Sequence, residues 1–307
     1  MEQIQRITSF QFRGWLESLR PRTLPLAFAS ILTGSALAWW QHHFSLTIAL
    51  LCFLTSGLLQ VLSNLANDYG DALKGSDGSE RLGPLRGIQK GIITLPQLRR
   101  GMMLVASLAL ICGIMLISQA CHTLGDVLSF LLLGALAVVA AIAYTVGKKP
   151  YGYLGLGDLS VLIFFGWLGV GGSFYLQSHN LPPLVLLPAT ACGLLAAAVL
   201  NINNLRDIET DRQCGKMTLA VRLGADHARR YHALLLGGAL LCFAVFAWSG
   251  QQGWGRWLFL LVVPLLWQQG RYILQQKSPQ AMRPMLEKTV KAALLTNILF
   301  AVGVLLS

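Results

Sequence analysis

Nine apolar stretches, at about 24–41, 45–66, 101–119, 127–146, 159–177, 184–202, 233–249, 255–269 and 289–306, take up most of this 307-residue chain. In hydrocarbon every backbone N–H and C=O must find its partner inside the protein. A run of roughly 20 apolar residues satisfies that need as a helix spanning ~30 Å. The expectation is an all-α, polytopic membrane protein, a single transmembrane domain over residues 1–307. Composition agrees: 54% of residues are hydrophobic and only 12% charged, about half the charged share of soluble domains.

Nine crossings sort the connections into two sets, and the charges fall almost wholly in one. Of 24 Lys and Arg only Arg256 lies in the other set, and of 13 acids only Asp126 does. The positive-inside rule makes the charged side cytoplasmic, with the N-terminus inside and the C-terminus outside. Residues 1–23 form a cytoplasmic segment, too long and too acidic for a secretory leader, in which Gln11–Leu19 suits a short interfacial helix. The net charge of +11 concentrates in two long loops, 69–100 and 203–231. Anionic lipid or a phosphorylated substrate explains that better than nucleic acid.

The polar residues that matter sit at the inner ends of two apolar runs. The second run ends in Asn64-Leu65-Ala66-Asn67-Asp68-Tyr69-Gly70-Asp71, the sixth in Asn203-Asn204-Leu205-Arg206-Asp207-Ile208-Glu209-Thr210-Asp211. At helical spacing Asn67, Asp68 and Asp71 share a face, as do Asn203, Asp207 and Asp211. Two carboxylates ~4 Å apart repel by about 4 kcal/mol at an effective dielectric near 20, so a site gathering Asp68, Asp71, Asp207 and Asp211 requires cations. Hard oxygen donors at this density suit Mg²⁺ bridging to a polyphosphate. Two related halves, helices 1–4 echoed by 5–8 with a ninth closing the set, would bring the motifs to opposite walls of a central cavity.

Cationic partners for the remaining phosphate oxygens are Arg86, Lys90, Lys148 and Arg206, with Lys74, Lys149 and Lys216 nearby. Arg86 leads, because the Gly83–Gly91 loop permits close backbone approach to an anion. Arg206 adjoins Asp207 but projects about 100° away on an ideal helix, so it serves either that carboxylate or a neighbour. Tyr144 is one turn before Lys148 and faces the same site. Tyr153 reads as an interface tyrosine, and Trp39, Trp40, Trp248, Trp254 and Trp257 as an outer aromatic belt. The six cysteines lack CxxC spacing and read as packing; His42, His43, His122 and His179 read as solvated loop residues.

These motifs, in this order on nine helices, resemble the UbiA superfamily of intramembrane aromatic prenyltransferases. The resemblance covers nearly the whole chain, weakening before residue 14 and after about 230. Within that family the Asn64–Asp71 and Asn203–Asp207 segments, the Gly83–Gly91 loop, Tyr144–Gly147 and Pro150–Tyr153 are similar to the branch acting on 1,4-dihydroxy-2-naphthoate in menaquinone synthesis. The resemblance implies a Mg²⁺-dependent enzyme in the lipid bilayer, joining a polyprenyl diphosphate to that ring with loss of CO₂. It implies metal ligation by Asp68, Asp71, Asp207 and Asp211, and substrate contacts from Asn64, Asn67, Asn203, Asn204 and the basic residues above. Tyr144 and Asp158 are candidates for handling the acceptor's proton. Two departures stand out: the family's third acid of the first cluster falls at Gly75, with Asp77 the nearest substitute, and the first acid of the second cluster is Asn204. Relatives acting on 4-hydroxybenzoate, and a secondary transporter, are the rival readings.

Overall fold

A computed structural model describes residues 2–75, 85–249 and 253–307, with side chains from residue 11 onward. Its helices are α1 (Glu2–Leu19), α2 (Leu24–Trp40), α3 (Leu46–Lys74), α4 (Leu95–Ala120) and α5 (Leu124–Ala143). They continue as α6 (Gly157–Ser178) and α7 (Pro183–Arg206), then the short α8 (Ile208–Gln213) and α9 (Leu219–Leu223), and finally α10 (Ala225–Ser249), α11 (Trp254–Gln275) and α12 (Pro279–Leu305). Among the described residues nine helical stretches are long and apolar enough to cross a membrane, and no strand occurs. The all-α polytopic expectation holds.

Local signals set the boundaries. Ser45, Thr94 and Thr123 precede α3, α4 and α5, and each side-chain oxygen accepts the N–H three residues on, from Ile48, Gln97 and Asp126. The second apolar run extends as helix beyond residue 66 to Lys74, ending where Gly75 takes φ 66°. The Asn67–Asp71 motif is therefore helical, not part of a loop. Gly70 lets α3 meet the turn after α5, since a Cβ there would stand 2.7 Å from the Thr145 carbonyl oxygen.

Helix α1 does more than lie at an interface. It docks on α3, with the Trp15 ring packed on Gly101 of α4 and the Gly14 backbone against Gly87. Helix α7 is the axis of the bundle: its Ala-rich surface buries Ala189, Ala191, Ala196, Ala197 and Ala198 against α6, α10 and α12. At the α6–α7 crossing Gly166 meets Gly193, and a Cβ on Gly166 would lie 2.6 Å from the Ala189 oxygen. Phe243, Phe246, Phe259 and Phe300 join α10, α11 and α12, with ring centroids as close as 4.4 Å.

At the helix ends away from the Asn/Asp motifs, Asp126 and Arg256 are both held by aromatic residues. Tyr175 donates its hydroxyl to Asp126 at 2.6 Å, and Arg256 lies 4.6 Å from the centroid of Trp40. Trp40 and Trp257 are consequently packed into the protein, against Phe246 and Phe259, while Trp39, Trp248 and Trp254 are exposed as a belt requires. His42, His43, His122 and His179 are exposed, and of the cysteines only Cys214 is.

Overpacking the α6–α7 crossing costs about 1–3 kcal/mol. Gly166→Leu is expected to lower the thermal midpoint of the detergent-solubilised protein, whereas Gly237→Leu, where a Cβ meets nothing within 4 Å, leaves it within error. Equal midpoints for the two variants would contradict this packing.

Candidate active site

One cavity of about 1440 Å³ runs into the bundle. Asn64, Asn67 and Asp71 of α3 and Asn203, Asn204 and Arg206 of α7 line its polar end, with Arg20, Arg86, Lys90, Lys216 and Tyr144. Beyond them the walls are apolar, including Ile31, Leu116, Phe130, Ala137, Phe164 and Leu168. Helix α3 packs on α2, α4 and α5, and α7 on α6, α10 and α12. Both motifs reach the space left between these two sets, but of the residues expected to share a face Asn67, Asp71 and Asn203 line it and Asp68, Asp207 and Asp211 do not.

The carboxylates are buried and compensated. Asp68 is fully buried and accepts from two guanidiniums, Arg20 at 2.5 Å and Arg86. Asp71 accepts the Tyr153 hydroxyl at 3.0 Å. Asp207 takes two bonds from Arg206, Nε at 2.8 Å and Nη2 at 2.5 Å. Asp211 faces Lys216 at 3.7 Å. The protein's own side chains supply part of the positive charge that the clustered acids demand. Asp71 faces the cavity directly; Asp68, Asp207 and Asp211 stand behind it, and among the described residues no three His, Cys, Asp or Glu side chains form a ready-made metal cluster.

Arg206 reaches Asp207 because the helix breaks there. Asp207 leaves helical geometry with φ −99° and ψ 11°, so the 100° offset of an ideal helix no longer applies. The same guanidinium donates to Asn203 at 2.8 Å, tying the motif together. Helix α8 resumes at once, and the Asp211 N–H bonds the Asp207 carbonyl at 2.8 Å.

Several residues have partners or positions that the sequence does not imply. Gly87 answers to helix packing, not to an anion: a Cβ there would lie 2.7 Å from the Gly14 oxygen. Lys90 pairs with Glu17 of α1 at 2.6 Å. Asn64 donates to the Leu19 oxygen at 3.0 Å and to Thr23 at 3.1 Å, so it secures the α1–α2 turn. Asn67 accepts from Thr145 at 3.2 Å. Lys148 lies outside this cavity, in a separate cleft with Lys74 and Lys149. Asp77 and the Gly83–Pro84 part of the glycine loop lie outside the described residues.

Two site residues escape sequence reasoning. Arg20 acts on Asp68 across 48 positions, and the Arg20-Pro21-Arg22 run reads only as a topology signal. Tyr153, expected at an interface, is instead buried under Asp71, and Lys74 Nζ lies 4.1 Å from its ring centroid. Tyr144 does face the cavity. A Cβ on Gly157 would come within 2.9 Å of its hydroxyl, so that glycine makes room for it. Burial, reinforced by the neighbouring Asp158 charge, pushes the Tyr144 phenol well above its ordinary range. Asp158 is buried at the start of α6 and is not part of the cavity wall.

Among the described residues, a nine-span bundle around a cavity with amide, carboxylate and guanidinium groups at one end and apolar walls beyond has the architecture of an intramembrane transferase, and residues 27–302 match the UbiA prenyltransferase family. The chain belongs to that family. It is 62% identical to the 1,4-dihydroxy-2-naphthoate octaprenyltransferase of Escherichia coli, over 96% of both chains. It is 52% identical to the enzyme of the same name from Haemophilus influenzae, over 98% of this chain and 99% of that one. A UbiA homolog from Archaeoglobus fulgidus, solved with GPP and Mg²⁺, shares the fold at a TM-score of 0.67 and 14% identity, covering 95% of this chain and 99% of the other.

Removing one partner of a buried pair costs about 3–5 kcal/mol, whereas replacing both by apolar groups is close to neutral. Arg206→Met is expected to lower unfolding stability by that amount, and Arg206→Met with Asp207→Leu to recover most of it. A double variant no more stable than the single would refute the pairing.

Proposed function

We propose that this protein transfers a polyprenyl group, octaprenyl as in its named relatives, from its diphosphate to 1,4-dihydroxy-2-naphthoate. The acceptor's carboxyl leaves as CO₂, and demethylmenaquinone and pyrophosphate are the products. The observation that carries the reading is the two-part cavity: a polyprenyl diphosphate is an anionic headgroup on a long apolar tail, and the cavity has a matching cationic end and apolar body. Each CH₂ buried is worth ~0.8 kcal/mol, so donor and product both belong in or beside the bilayer. The acidic motifs face the cytoplasm in this reading, with the N-terminus inside and the C-terminus outside, in the inner membrane.

The donor set fits Mg²⁺. Asp71 and the amide oxygens of Asn67, Asn203 and Asn204 are hard ligands on one cavity, and Mg²⁺ binds through one or two carboxylates plus waters and phosphates rather than a closed protein cage. Asp71 with these amides would hold it, Asp68, Asp207 and Asp211 would join only by exchanging the basic partners they have behind the wall, and the ion would neutralise the charge developing on the leaving diphosphate.

The chain's own groups do the rest. Arg20, Arg86, Arg206 and Lys216 supply positive charge where the pyrophosphate forms, in a site shielded from water. Apolar walls keep water from the allylic carbocation until the electron-rich ring captures it. Tyr144, on the cavity wall, is placed to meet oxygen atoms of the acceptor.

Membranes carrying the protein, given Mg²⁺ and octaprenyl diphosphate, are expected to prenylate 1,4-dihydroxy-2-naphthoate in preference to 4-hydroxybenzoate, with pyrophosphate released; the reverse preference would remove the acceptor assignment. Asp68→Asn and Asp207→Asn are each expected to reduce turnover by a factor of ~10² or more while inserting normally. Full turnover in both would remove the metal assignment. Solute uptake into vesicles without pyrophosphate release would favour a transporter instead.

A further inference from the structure

A second, smaller cleft of about 480 Å³ opens beside the polar end of the main cavity. Lys74 from the end of α3, Lys148 and Lys149 from the α5–α6 connection, and Arg222 from α9 line it, with Tyr153 and Cys214. Among the described residues no acidic side chain lines it. Three separate chain segments thus bring four cations to one concave place, against their mutual repulsion. Such a place lowers the free energy of a multivalent anion and of little else.

Tyr153 stands between this cleft and the main cavity. Tyr153 lines the cleft, while its hydroxyl bonds Asp71, which lines the main cavity. Lys74, a cleft residue, lies 4.1 Å from the ring centroid, and Lys216, a cavity residue, 5.4 Å from it. The backbone behind the ring is fixed: Met217 N–H bonds the Tyr153 oxygen at 3.0 Å and Lys216 N–H the Asp211 oxygen at 2.8 Å. Cations therefore continue from the cavity, past Tyr153, to the surface.

We propose that this cleft binds inorganic pyrophosphate on its way out of the cavity. The inference rests on the diphosphate reading of the main site. Before bond cleavage the headgroup is anchored by a tail that needs apolar walls; after cleavage the pyrophosphate has no tail, and the cations that continue past Tyr153 to the surface offer it successive partners. The same phosphate chemistry is carried by anionic lipid headgroups, so the test separates the two sources.

Cys214 is the one exposed cysteine among the described residues, and it reports on the cleft without any substrate present. The full-length protein in detergent is treated with N-ethylmaleimide, and modification of Cys214 is followed by mass spectrometry. Pyrophosphate is expected to slow that modification roughly tenfold, and sulfate at matched ionic strength to leave it unchanged. K148E/K149E is expected to abolish the protection, and R222Q, a milder change, to weaken it. Absence of protection, equal protection by sulfate, or protection undiminished in both variants overturns the proposal. Slowing in phosphatidylglycerol nanodiscs but not in phosphatidylcholine ones, with no effect of pyrophosphate, assigns the cleft to lipid and also overturns it. Because no donor or acceptor is added, failure here is distinct from failure of the acceptor assay.

Discussion

Burying acidic groups at the end of an apolar bundle is possible only if opposite charge arrives with them, and the rest of this site follows from how that is done. Asp68 has no exposure at all, yet it is held by Arg20 from before α2 and Arg86 from before α4. Two connections that precede crossing helices are thereby pinned to one point on α3. Asp207 is served differently, by its own neighbour, through a break in the helix that brings Arg206 and Asp207 side by side. Long-range pairing on one wall and local pairing on the other leave the cavity end rich in guanidinium, the group best matched to phosphate oxygens.

That arrangement explains why the site and the bilayer belong together. A guanidinium held by a carboxylate is partly neutralised, so it does not draw water deep between the helices. When a diphosphate enters, it offers the same guanidiniums competing oxygens of higher charge. The apolar remainder of the cavity then decides which anions stay: pyrophosphate alone gains nothing from it, whereas a prenyl tail does. Selection for the intact donor and release of the spent headgroup are two sides of one partition.

Much of the fold could be read directly from the chain, because hydrocarbon leaves few choices. Nine apolar runs had to be helices, and the paired Asn/Asp motifs at helical spacing had to face polar company. What stayed hidden was tertiary. Arg20 looks like any basic residue flanking a first span; only the docking of α1 on α3 and α4 turns it toward Asp68. Tyr153 looks like an interface tyrosine until the α5–α6 connection folds it beneath Asp71. Lys148 sits one turn after Tyr144 in sequence, but α5 ends at Ala143, so helical spacing does not carry the lysine to the tyrosine's side. In each case a local rule was applied correctly to a segment whose geometry a distant contact decides.

The two motif helices also differ in a way that bears on their roles. α3 runs unbroken through Asn67, Asp68 and Asp71 to Gly75, and its motif is clamped from outside by Arg20, Arg86, Thr145 and Tyr153. α7 stops at Arg206, and its motif continues through a turn into α8, with Arg206 bonding both Asn203 and Asp207. A helix clamped on several sides is a fixed wall, since moving it would break contacts to three other segments together. A motif that spans a helix end is held instead from within, by Arg206 across the break and by the Asp211 N–H on the Asp207 carbonyl. The cavity therefore joins one wall secured by distant segments to one secured by its own neighbours, because only the second has a helix end at which backbone angles bring Arg206 and Asp207 side by side.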